Sequence, residues 1–110
     1  MYKLLASATL ALLSTGCFAQ TNTEATLSVA GTTRQYLVHL PPGYHAGAPL
    51  PLVLVLHGGG GNYHQMQRYM KMDPIADEQN FITVYPNGID KHWNDGREVD
   101  ASVTAHDDAQ

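Results

Sequence analysis

Leu52-Val53-Leu54-Val55-Leu56-His57 running into Gly58-Gly59-Gly60-Gly61-Asn62 is the stretch that decides the fold. A short apolar run without polar alternation suits a strand buried on both faces, as in a parallel sheet covered by helices. The four glycines suit a loop that turns sharply and lets its backbone approach a ligand closely. Two common glycine motifs do not fit. No Gly-Lys-Ser/Thr follows, which excludes a phosphate loop. Tyr63 stands where the last glycine of a G-x-G-x-x-G dinucleotide fingerprint would be. A plain flexible linker directly after a buried strand is out of place.

Upstream, Thr33 to Leu40 alternates Tyr36, Val38 and Leu40 with Gln35, Leu37 and His39, a strand with one face more buried than the other. Pro41-Pro42-Gly43 ends it, and Tyr44 to Pro51 reads as a surface loop. Ala25 to Val29 is a short strand before a turn at Gly31, and Gln20 to Glu24 is a loose polar lead-in. Downstream, Tyr63 to Met72 predicts a helix whose stripe of Tyr63, Met66, Tyr69 and Met70 faces a core. Asp73-Pro74 predicts the N-cap and first-turn proline of a second helix, closing near Gln79 and Asn80. Phe81 to Tyr85 is a β run stopped by Pro86-Asn87-Gly88. Ile89 to Val103 is polar and irregular, and Thr104 to Gln110 opens like a helix with Asp107 and Asp108 in its first turn. Strands followed by strand–helix–strand spacing predict an α/β sheet.

Four ordered segments carry a resemblance. They are Tyr36-Leu37-Val38-His39-Leu40-Pro41-Pro42-Gly43-Tyr44, then Leu52 to Asn62, then Ile75 to Gly88, then Trp93-Asn94-Asp95-Gly96-Arg97 with Asp107-Asp108. Together they resemble secreted α/β-hydrolase esterases of the polyhydroxybutyrate depolymerase and feruloyl/acetylxylan esterase group, over about Thr33 to Gln110. The resemblance implies an α/β fold, with this chain as the N-terminal portion of an α/β-hydrolase sheet, an incomplete domain. It implies a serine-type carboxylic ester hydrolase without a cofactor, in which Ser attacks the carbonyl, His moves the proton and Asp orients the His. The implied substrate is an ester of a polymer or oligomer, a polyhydroxyalkanoate or an acylated polysaccharide. The resemblance assigns the oxyanion donors to Gly59 and Gly60. It makes His57 and Gly58 a brace for the loop, because the triad histidine of such enzymes comes last in chain order.

The catalytic residues themselves do not occur in this sequence. Its serines are Ser7, Ser14, Ser28 and Ser102, and none stands in a Gly-x-Ser-x-Gly frame. The chain has 110 residues, whereas a domain of this class takes roughly 200–250. The expectation is an oxyanion loop without nucleophile, acid or base, and no turnover by the chain alone.

Residues 1–19 read as a signal peptide. Lys3 supplies the positive start, Leu4 to Leu13 the apolar core, and Cys17-Phe18-Ala19 an A-x-A-like site with cleavage before Gln20. The apolar stretch is too short for a bilayer, which takes ~20 residues. Leu13-Ser14-Thr15-Gly16-Cys17 also approaches a lipobox, so a lipoprotein anchored at Cys17 is the alternative to a secreted or periplasmic product. The formal net charge of −4, with no basic run, speaks against nucleic-acid binding. The single cysteine allows no disulfide framework.

Residues 20–32 form the lead-in and first strand, and 33–110 the hydrolase-like part. Trp93, flanked by Asn94, Asp95 and Arg97, offers an aromatic plane for a sugar or phenolic ring, or packs its own loop against the body. Two other functions stay open: a non-catalytic secreted binding module that uses the Trp93 loop, and a zinc hydrolase built on His92, Asp95, His106, Asp107 and Asp108.

Overall fold

The computed structural model describes residues 21–94. The expected leader, the Asp95–Arg97 flank of Trp93 and the expected terminal helix with Asp107 and Asp108 lie outside them. Four strands and two helices follow in the order β1 (Thr21–Val29), β2 (Thr32–Leu40), β3 (Leu52–Leu54), α1 (Tyr63–Met70), α2 (Met72–Gln79) and β4 (Ile82–Asn87). They form one sheet in the order β1-β2-β4-β3. β1 and β2 are an antiparallel hairpin, β2 and β4 are antiparallel, and β3 and β4 are parallel. The parallel pair is joined by the two helices, the crossover that parallel strands require.

Several elements depart from the sequence reading. The lead-in is not loose: Thr21 to Glu24 pair with Leu40 to Leu37 and extend β1. On β2 the buried residues are Leu37 and His39, while Tyr36, Val38 and Leu40 are half-buried. His39 tolerates burial at 1% exposure because Asn22 Oδ1 meets its Nδ1 at 2.8 Å and Asp77 Oδ1 its Nε2 at 2.7 Å. β4 runs through Pro86, opposite Tyr36, instead of stopping at Tyr85. That proline lies past the Ile82–Val84 stretch paired to β3, where β4 is an edge on that side and proline is accepted.

The strand that decided the fold is covered on one face only among the described residues. Val55 is buried and Val53 packs against the core, whereas Leu52, Leu54 and Leu56 point the other way, Leu54 at 61% exposure. Both helices lie on the Val53–Val55 side, where Leu37, Val55, Tyr63 and Tyr85 form the core with Met66 and Met72 against it. The expected helix stripe is likewise half right. Tyr63 and Met66 pack inward, but Met70 is exposed and Tyr69 is 79% exposed. α1 ends at Met70 because Lys71 turns left-handed, at φ 50°, and also opens α2. Eight residues are too few for the whole stripe to face one neighbour.

Asp73 is not an N-cap. It sits in the first turn of α2, and its carboxylate accepts from the hydroxyls of Tyr85 (2.6 Å) and Thr83 (3.0 Å) and from the Gln67 amide (2.7 Å). This clasp ties α2 to the back of β4. The effective cap the sequence reading missed is Asn62, whose side chain accepts from Gln65 N–H at 3.0 Å at the start of α1. Asn62-x-x-Gln65 was its signal. Asn80 does end α2, in the left-handed conformation. No helix among the described residues is long and apolar enough to cross a membrane.

Candidate functional site

The glycine loop leaves the carboxyl end of β3, and the 88–93 turn leaves the carboxyl end of the adjacent parallel strand β4. Open α/β sheets place their ligand crevices outside the carboxyl ends of such strands. The two segments are tied to each other at three points. Gly88 N–H donates to His57 Nε2 at 2.9 Å, Gly60 N–H to the Lys91 carbonyl at 2.8 Å, and the Trp93 indole N–H to the His57 carbonyl at 2.8 Å. The turn is itself closed by His92 N–H to the Ile89 carbonyl at 3.0 Å.

His57 stands at the centre of these ties and is 4% exposed. Its Nδ1 bonds the Gly58 carbonyl at 2.8 Å, and its Nε2 accepts from Gly88. A carbonyl requires a donor and an N–H requires an acceptor, so the ring is used as the neutral Nδ1–H tautomer. Both nitrogens are engaged within the chain, which leaves none to carry a proton to or from a substrate. Trp93 covers the imidazole, with ring centroids 4.8 Å apart and planes tilted by 36°.

The loop's donors follow from peptide geometry. In a planar trans peptide the N–H points opposite to the preceding C=O. The Gly58 carbonyl is held by two donors, His57 Nδ1 and Gly61 N–H at 3.0 Å. The Gly59 N–H is therefore aimed away from the brace. Gly59 is exposed, and no hydrogen bond to a described residue uses its N–H. Gly60 differs: its N–H is engaged by Lys91, and its φ of +80° is the left-handed turn that closes the loop. Of the two glycines expected to donate, Gly59 alone has an N–H free among the described residues. A Cβ on Gly59 would meet only His92 Nδ1, at 3.7 Å, an ordinary contact. A Cβ on Gly88 would run into the His92 backbone carbonyl. Gly88 was read only as a strand terminator; its role as a close-approach point needed the fold.

Asn87 completes the frame: its Oδ1 faces Tyr63 N–H at 3.4 Å, and its amide donates to Gln35 Oε1 at 3.2 Å. The face of the sheet opposite the helices carries an apolar cleft lined by Leu27, Tyr36, Leu54, Leu56, Pro86 and Trp93. Of the five residues in the zinc alternative, only His92 lies among the described residues. No cluster of three or more His, Cys, Asp or Glu side chains suited to a metal occurs among the described residues.

No family model matches the chain. A curated relative, "Putative esterase NocK" of Nocardia uniformis subsp. tsuyamanensis, is 37% identical over 75 residues, which are 67% of this chain and 22% of that protein. Among solved structures, an S-formylglutathione hydrolase from Agrobacterium tumefaciens matches with TM-score 0.56 at 18% identity, over 64% of this chain and 26% of that one. A ferulic acid esterase matches with TM-score 0.51 at 22% identity, over 64% of this chain and 31% of that one. The chain thus spans 22% of the curated relative's length and 26–31% of these structures. Its fold is the α/β-hydrolase fold, shared with esterases.

Proposed function

We propose that this chain is the oxyanion-loop segment of a secreted serine esterase of the polyhydroxybutyrate depolymerase and feruloyl esterase kind. The observation that carries the proposal is the Gly59 N–H, directed outward at the carboxyl end of β3 by a Gly58 carbonyl that His57 and Gly61 hold in place. A fixed backbone donor in that position can stabilise the oxygen that becomes negative when a carbonyl is attacked, and one such donor contributes ~3–4 kcal/mol. His57 with Gly58 serves as the brace, and Gly60 as the turn that ties the loop to Lys91. The relative's name supports an ester substrate, and the four ordered motifs support a polymer-derived one. The leader supports export, with a lipid anchor at Cys17 as the other form.

The mechanism is acyl transfer. A serine attacks the ester carbonyl as the histidine takes its proton, the tetrahedral oxygen settles on the Gly59 N–H, the alcohol leaves with that proton, and water activated by the same histidine then releases the acid from the acyl-serine. The proposal places the serine, histidine and aspartate in sequence other than these 110 residues. The test begins with the coding sequence beyond Gln110, where a Gly-x-Ser-x-Gly within a few tens of codons is expected. In that longer product, Gly59→Pro, which removes the N–H itself, should lower kcat by about 10²-fold or more with little change in KM, because the lost interaction strengthens only in the transition state, whereas Gly59→Ala, which keeps the N–H and meets only an ordinary contact, should not. A natural stop after Gln110, or a folded Gly59→Pro enzyme with full kcat, overturns the proposal.

A further inference from the structure

Among the described residues, Trp93 is an aromatic residue that touches both the glycine loop and the apolar cleft, and a half-buried aromatic plane there invites a role in stacking on substrate. Its contacts point elsewhere. The indole N–H donates to the His57 carbonyl at 2.8 Å, and the ring lies against the His57 imidazole at 4.8 Å between centroids. We infer that Trp93 is a positioning residue: it fixes the plane of the His57–Gly58 peptide and, through His57, the direction in which the glycine loop presents its N–H groups.

The argument runs through two rigid peptide units. Holding the His57 carbonyl toward Trp93 turns the Gly58 N–H the opposite way. The next unit is held by the His57 ring, whose Nδ1–H grips the Gly58 carbonyl and so aims the Gly59 N–H. The ring cannot tilt while Gly88 N–H binds its Nε2 and the indole covers its face. One residue of the 88–93 turn therefore controls both units, one directly and one through the imidazole. The indole N–H, the only polar group of the side chain, is already engaged and has nothing left to offer a ligand. Glycines have no side chains to restrict them, so a loop of four needs outside restraint to keep one geometry.

The consequence for rate rests on the oxyanion reading above, whereas the restraint itself does not. Two measurements separate them. Trp93 is the only tryptophan in the chain. Its indole N–H should therefore give one proton resonance in the 110-residue chain, exchanging with solvent at least about tenfold more slowly than free indole. Replacing Trp93 by β-(3-benzothienyl)alanine keeps the bicyclic ring and removes the donor. It should speed exchange of the Gly60 amide, which bonds Lys91 in the same clasp, by about tenfold. In the longer enzyme the same replacement and Trp93→Phe should lower kcat by about tenfold, equally for acetyl and feruloyl esters, with KM unchanged. An indole N–H exchanging at the free rate overturns the inference. So does a KM rise confined to the aromatic ester, the signature of a stacking surface. If the wild-type enzyme hydrolyses no ester, the esterase reading falls, and the exchange measurement still decides the role of Trp93.

Discussion

Asp73→Ala should unfold the clasp that holds α2 against the sheet. One carboxylate there accepts three hydrogen bonds, from Tyr85, Thr83 and Gln67, and its Oδ2 lies 3.5 Å from His39 Nδ1. Tyr85 and Thr83 are wholly buried. Alanine would leave both hydroxyls facing a void, and each buried unsatisfied group costs ~1–3 kcal/mol. The hydroxyls can partly turn to each other, so a total of ~3–5 kcal/mol is expected, a large share of the ~5–15 kcal/mol that holds a small domain. Asp73→Asn keeps one acceptor and should cost ~1–2 kcal/mol. Urea titrations followed by far-ultraviolet circular dichroism measure both. A cycle with Tyr85→Phe isolates the shortest bond: in that background Asp73→Ala should cost ~1–2 kcal/mol less. A loss below ~1 kcal/mol for Asp73→Ala, or strict additivity with Tyr85→Phe, would refute the reasoning.

The same tyrosine predicts an alkaline limit. Burial, and then the Asp73 hydrogen bond, raise the Tyr85 pKa above its usual 10.0, so the folded state keeps the phenol protonated while the unfolded chain ionises. Stability from this group is complete below pH ~10 and falls above it by up to ~1.4 kcal/mol per pH unit, a limb that Tyr85→Phe should flatten in urea midpoints taken from pH 9 to 11.5. Gly88→Ala should cost ~1–3 kcal/mol by thermal unfolding and shift Trp93 emission to the red, since its Cβ meets the His92 carbonyl and opens the turn. Gly59→Ala, which meets only an ordinary contact, should stay within ~0.5 kcal/mol of wild type. The 110-residue chain alone should turn over no p-nitrophenyl ester, and saturable hydrolysis blocked by a serine reagent would contradict this. Mass spectrometry of the exported product should find Gln20 at its N-terminus, or a diacylglyceryl Cys17; an intact Met1 in the cytosol would count against the leader.

Local chemistry made part of this structure legible. The apolar run before four glycines marked a strand entering a tight loop, and Asn80 marked the end of α2, because both depend on backbone preferences that a residue type carries with it. Among the described residues, Leu52 to Leu56 is covered on the Val53–Val55 side only, where both described helices lie. An apolar run records which faces can be covered, not which neighbour covers them. The Tyr69 and Met70 half of the helix stripe misled for the same reason, whereas Tyr63 and Met66 pack inward. The loop's restraint was not legible at all: Gly88 and Trp93 are 31 and 36 residues from the His57 they hold, Lys91 is similarly far from Gly60, and only the parallel pairing of β3 with β4 brings them together. Asp73 looked like a cap because aspartate before proline usually is one. Its carboxylate is drawn instead to hydroxyls on β4, a tertiary demand stronger than the local one.

The central claim is that the Gly59 N–H faces the oxyanion. It is tested most directly by a crystal structure of the longer enzyme with its serine phosphonylated, because the phosphonyl oxygen occupies the place of the transition-state oxygen. The account predicts Gly59 N about 2.7–3.1 Å from that oxygen, with Gly60 N–H still on the Lys91 carbonyl. An oxygen held by other donors, with Gly59 N beyond hydrogen-bonding range, would contradict it.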